Sequence, residues 1–178
     1  MLMSFGQTLD QSYTPTITPF DPLAYNISAN STTGENPGQS FTAGSTNVLS
    51  RVAIYITNAS STFVPGTFEL KLYSGSNATG TLLNTTAFTI SIAPSGSIYQ
   101  EFEINLSPTV PLTSGSVYSF TITGVGTVKV DVGIIQNASP IFYTGGEAFI
   151  YTNVGLTGYV AWFKTYMGAV ASNSAPTD

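Results

Sequence analysis

Apolar and polar residues alternate with a period of two through most of this chain. The clearest run is residues 47–58, NVLSRVAIYITN, which follows a short strand predicted at 39–43 and a Gly-Ser turn. Val48, Ser50, Val52, Ile54 and Ile56 fall on one face; Leu49, Arg51, Ala53, Tyr55 and Thr57 fall on the other. Such alternation, rich in β-branched side chains, predicts a strand half-buried in a sheet. It recurs at 67–74, with Phe68, Leu70 and Leu72 inward and Glu69, Lys71 and Tyr73 outward. At 82–92 the inward set is Leu82, Phe88, Ile90 and Ile92. At 98–106, Ile98, Phe102, Ile104 and Leu106 oppose Tyr99, Glu101, Glu103 and Asn105. Tyr118, Phe120 and Ile122, then Val128, Val130, Val132 and Ile134, continue the series, and segments 140–143, 147–152 and 159–166 complete it.

Turn-forming residues separate these runs, and two longer stretches, 24–38 and 108–115, read as connections. No segment carries a helical period. The expected fold is all-β, an antiparallel β-sandwich or jelly roll of about ten to eleven strands.

Residues 1–20 stand apart. Met1, Met3, Phe5, Leu9, Tyr13 and Ile17 share one phase, mostly Ser, Thr, Gly and Asp the other, before a stretch punctuated by Pro15, Pro19 and Pro22. Two roles fit: an edge strand of the domain's own sheet, or an arm added as a strand to a neighbouring subunit. The expected organisation is an N-terminal strand or arm over 1–23, a sandwich over 24–167, and a polar tail over 168–178. The opening MLMSFGQTLD lacks the basic and apolar regions of a secretory signal.

Charged residues make up 7% of the chain, against about 25% in an ordinary soluble domain. Ser and Thr number 47. The surface is therefore neutral and hydroxyl-rich, which permits close packing of copies or calls for a solubilising modification such as glycans. The basic residues Arg51, Lys71, Lys129 and Lys164 are scattered singly, so no nucleic-acid partner is expected. No apolar run is long enough to span a bilayer as a helix, so no membrane insertion is expected. Cys and His are absent, which removes disulfides, thiol nucleophiles, His-based triads and the usual zinc sites. The acids form no calcium-loop cluster, so neither metal nor cofactor is expected.

Four segments, GQSFTAGSTNVLSRVAIYI, TFELKLYSGSNATGTLL, PLTSGSVYSFTIT and GGEAFIYTNVGLTGYVAWFKTY, together resemble a jelly-roll module of uncharacterised bacterial surface and secreted proteins. The resemblance runs from about Leu9 to Tyr166. It implies an extracellular β-sandwich and transfers no catalytic residue. Trp162 lies inside the module's terminal strand motif, which implies a structural role.

Seven Asn residues, Asn26, Asn30, Asn58, Asn77, Asn84, Asn105 and Asn137, begin Asn-x-Ser/Thr triplets and are candidate glycosylation acceptors. Turn chemistry alone also brings Asn together with Ser and Thr. Glu101 and Glu103 project from one strand face at about 6–7 Å, a spacing that suits either a solvated face or, far less readily, a glycosidase carboxylate pair. Tyr55, Tyr73 and Tyr99, in the outward phase of their strands, are candidates for a sugar-stacking or subunit-contact face.

The function expected is non-enzymatic and structural: a homo-polymer, such as an extracellular or cell-surface filament, built by strand addition through an arm bearing Met1, Met3, Phe5, Leu9 and Tyr13. The alternatives are a carbohydrate-binding or adhesive module that takes glycans as partners, and a virion structural protein.

Overall fold

The computed structural model describes residues 7–13, 24–30, 35–57, 63–91, 99–136, 143–151, 154–156 and 158–168. These form two antiparallel sheets packed face to face, a β-sandwich. In chain order the strands are β1 (Thr8–Tyr13), β2 (Ala24–Asn30), β3 (Gly38–Thr42), β4 (Asn47–Thr57), β5 (Gly66–Ser74), β6 (Leu82–Ile90), β7 (Gln100–Leu112), β8 (Val117–Gly124), β9 (Lys129–Gln136), β10 (Ala148–Ile150), β11 (Val154–Gly155), β12 (Tyr159–Ala161) and β13 (Phe163–Gly168). One sheet, A, runs β1-β13-β4-β9-β12, with β7 joined to β4 and β2 to β9. The other, B, runs β11-β10-β3-β8-β5-β6.

The main core is a large apolar cluster drawn from both sheets, with a small second cluster around Ala148 and Ala161. Sheet B contributes Phe41, Phe68, Leu70, Leu72, Phe120 and Ile122; sheet A contributes Val52, Ile54, Ile104, Val130, Val132 and Phe163. The Phe163 ring bridges the layers, lying 6.4 Å from Phe41 and 5.9 Å from Phe120. Phe88 and Phe102, 5.6 Å apart, do the same at one margin. Because cross-strand partners share a face, Phe68, Leu70 and Leu72, then Tyr118, Phe120 and Ile122, and then Val128, Val130 and Val132, each expected inward, become rows of this core.

Four expectations are corrected. Segment 24–38 contains a strand: β2 pairs with β9 along its whole length. The period-two pattern Tyr25, Ile27, Ala29 is there, masked by turn-type Asn and Ser. The phase of β4 breaks at its start. A register shift lies between Leu49 and Arg51, so Leu49 is fully buried while Val48 is only half-buried. An irregularity of this kind adds one residue and flips the alternation behind it. On β6, Leu82 is exposed and Asn84 and Thr86 point inward. Finally, residues 108–112 extend β7 through Pro108 and Pro111, which is tolerated because among the described residues β7 pairs with β4 alone and lies at an edge of sheet A. The strand count is thirteen among the described residues, since β2 is added and the last segments divide into short pieces.

Asn84 and Thr86 close the sandwich where the edge strands β6 and β7 meet. The Asn84 amide nitrogen donates to the Pro108 carbonyl at 2.9 Å. The Thr86 hydroxyl donates to Asn84 Oδ1 at 2.7 Å and accepts from the Ser107 N–H at 3.4 Å. Buried polar side chains are retained where each finds such partners.

Candidate functional site

Two places concentrate the side chains singled out by the sequence. The first is the seat of the N-terminal strand. β1 pairs antiparallel with β13, Thr8 opposite Met167 and Tyr13 opposite Phe163, with a register shift between Leu9 and Gln11. Tyr13 is buried at 6% exposure, its ring 6.2 Å from Tyr143, which meets the Phe163 ring edge-on at 5.3 Å. Burial raises both phenols above the ordinary tyrosine range, and the charge of Asp10 adds to the rise at Tyr143. Asp10 clasps the turn after β3: Gly44 N–H donates to Oδ2 and the Ser45 hydroxyl to Oδ1, both at 3.2 Å. Gln7 donates to the Ser50 hydroxyl at 3.0 Å. Leu9 is 54% exposed. Met1, Met3 and Phe5 of the expected arm lie outside the described residues.

The second place is the outer face of sheet A. β12 and β13 are one chain segment interrupted at Trp162. The segment pairs first with β9 and then with β4. At the crossing, Trp162 N–H donates to the Gly133 carbonyl and its own carbonyl accepts from Tyr55 N–H. Its indole is 5% exposed, with Tyr99 at 4.1 Å and Tyr55 edge-on at 6.0 Å. The approach of Tyr99 requires a glycine beneath it: a Cβ at Gly133 would lie 2.7 Å from Tyr99 Cε1.

Beside this aromatic group runs a ladder of charges. The Tyr55 hydroxyl donates to Glu101 Oε2 at 2.6 Å, and Lys164 Nζ donates to the same oxygen at 2.5 Å. Arg51 Nη1 donates to Glu103 Oε2 at 2.7 Å, and its guanidinium stacks 3.9 Å from the centre of the Tyr166 ring, a favourable cation–π geometry. Burial raises the Glu101 carboxyl, but the bonds from Lys164 and Tyr55 and the nearby positive charges outweigh it, leaving the group below its ordinary value. Its bond to Glu101 holds Lys164 well above the usual lysine range. Burial, then the bond to Glu101, raises Tyr55. The direction at Glu101 is opposite to that needed by a general acid in glycoside hydrolysis.

The structure thus joins Tyr55 and Tyr99 and separates Tyr73. Tyr55 and Tyr99 face the same side of sheet A, but Tyr99 is half-buried on Trp162 rather than freely outward. Tyr73 pairs with Ser119 in sheet B. The charge ladder was legible only in part. Trp162, Lys164 and Tyr166 share one phase, yet no pattern says that this phase meets Arg51 and Glu101.

Of the sequon residues, Asn26 and Asn30 lie in β2, and Asn58 and Asn137 lie outside the described residues. Asn84 is closed in the inter-sheet seam with its amide nitrogen engaged. Asn105 is exposed on β7, opposite Arg51. Asn77 occupies the turn between β5 and β6. No family model matches the chain, and no curated protein matches it in sequence.

Proposed function

We propose that this protein is a non-enzymatic structural subunit that assembles with copies of itself by exchanging the N-terminal strand. The polymer is a surface filament or a comparable extracellular array, and the subunit is a jelly-roll sandwich. The observation that carries this is the position of β1 at the end of the sheet A order, where among the described residues its ladder is made with β13 alone. A strand held by one ladder, one aromatic socket and one Asp10 clasp can make all of those contacts in an identical neighbour. Exchange of this kind needs no new surface, and a head-to-tail arrangement of it generates open fibres. The exposed Leu9 and the low charge of the chain support close packing of copies.

Deletion of residues 1–12 tests the proposal. The expected product is a folded, monomeric sandwich by circular dichroism and sedimentation, with no polymers in negative stain. Polymers that persist after the deletion overturn it.

A second function, an adhesive module for neutral sugars, draws on the Tyr55–Tyr99–Trp162 group. The near-complete burial of Trp162 and the paired state of both glutamates favour packing over ligand capture. On that basis Tyr55→Ala leaves glycan-array binding unchanged; a sugar whose binding is lost in the variant would revive the adhesive role.

A further inference from the structure

We propose that Asn77 is an N-glycosylation acceptor of the folded protein, its ligand being an oligosaccharide delivered from a lipid-diphosphate carrier by a membrane transferase. The proposal is independent of strand exchange. It rests on what the fold does to each triplet it describes with side chains.

Transfer to asparagine requires the triplet to leave regular structure, because the transferase must reach the amide nitrogen and the hydroxyl two residues on together. Asn84-Thr85-Thr86 fails on access: Asn84 and Thr86 are buried and bonded to each other, to Pro108 and to Ser107. Asn105-Leu106-Ser107 fails on backbone. Asn105 is locked into the β4–β7 ladder opposite Arg51, Leu106 is buried in the core, and Ser107 N–H is held by Thr86. Freeing either triplet means opening an edge of the sandwich.

Asn77-Ala78-Thr79 meets both requirements. It lies between the end of β5 and the start of β6, outside both ladders. Thr79 is exposed. Asn77 Oδ1 accepts from Thr79 N–H at 3.0 Å and from the Thr79 hydroxyl at 2.6 Å, so the carboxamide and hydroxyl of the triplet are already side by side. Both of these bonds use the oxygen and leave the nitrogen, the atom to be modified, out of them. The turn is fixed rather than loose. Ser74 N–H donates to the Thr81 carbonyl at 2.9 Å, and Thr81 N–H to Ser74 Oγ at 3.1 Å. Gly75 adopts φ +91°, and a Cβ at Gly80 would overlap the Ser74 carbonyl oxygen at 1.6 Å. Glycine is needed at both positions to hold this shape.

In the reaction, Asn77 Nδ2 attacks the anomeric carbon of the carried saccharide. The new C–N bond forms as the C–O bond to the diphosphate breaks. The amide proton passes to a base of the transferase, and the lipid diphosphate leaves. A glycan here would cover part of a surface with few charges and supply the hydration they do not.

Protease mapping with mass spectrometry of protein purified from its native source is the test. The expected result is a saccharide mass on the peptide carrying Asn77 and bare Asn84. That mass should be lost in Asn77→Gln and equally in Thr79→Ala, which keeps the asparagine but removes the hydroxyl. Unmodified Asn77 in the native protein, or a modified Asn77 that survives Thr79→Ala, overturns the proposal, and neither result bears on whether β1 is exchanged.

Discussion

Phe163 is the residue on which most of the sandwich converges. Its ring touches Phe41 and Phe120 of the opposite sheet and Tyr143 of the socket that seats Tyr13. Phe163→Ala should cost about 3–5 kcal/mol, the range for removing a fully buried aromatic ring. The check is the denaturant midpoint; a loss under about 1 kcal/mol would mean that the layers are not packed through this ring. Glu101 carries a smaller, pH-dependent share. Its folded value lies below the ordinary one, so its contribution is present above the carboxylate range. It is lost as pH falls through the unfolded and then the folded value, because the unfolded chain takes up the proton first. The group is partly exposed, so solvent screening limits the effect to about 0.2–1 kcal/mol. Glu101→Gln should lower the unfolding midpoint at pH 7 and lower it by less near about pH 3, where the unfolded carboxyl is already protonated. An equal loss at both pH values would contradict the assignment.

At the scale of elements, alternation revealed the strands whose two faces differ sharply in polarity. β5, β8 and β9 are of this kind, with Phe, Leu, Ile and Val turned inward. It misread β6 because the inward positions there are Asn84 and Thr86. Their burial depends on Pro108 and Ser107, partners on a different sheet, and no local pattern encodes that meeting. Asn84→Ala removes the acceptor of the buried Thr86 hydroxyl and the donor to the Pro108 carbonyl. Loss of buried partners of this kind costs about 1–3 kcal/mol, and hydrogen exchange in β6 and β7 should rise before that of the sheet centres. Uniform exchange across both sheets would refute a local seam. The candidate site was similarly half-legible. The outward phase of Tyr55 and Tyr99 was readable, but alternation does not say which sheet an outward tyrosine belongs to, so Tyr73 was grouped with them. The role of Trp162 depends on a segment that changes partner from β9 to β4, set by two main-chain hydrogen bonds. The sign of that crossing in the sequence is the same-phase series Trp162, Lys164, Tyr166. Gly133→Ala should push Tyr99 off the indole, seen as a change in tryptophan fluorescence; an unaltered spectrum would mean that the ring tolerates the added methyl.

For the whole molecule, the sandwich has a large main core, few charges and an N-terminal strand seated, among the described residues, on β13. The contacts that hold β1 in its own chain are the contacts it would make in another, so a closed monomer and an exchanged polymer differ mainly in association entropy and in the path of the connecting residues. Protein concentration should therefore shift the balance between them. Because the chain has no cysteine, a disulfide trap reads the connectivity directly. Leu9 and Tyr166 are register partners across the β1–β13 ladder, and Leu9→Cys with Tyr166→Cys places one thiol on each side of it. Oxidised in the assembled state and separated under denaturing, non-reducing conditions, the double variant should give a ladder of covalent multimers that collapses to monomer on reduction. A single monomeric band, with its disulfide closed within one chain, would contradict strand exchange.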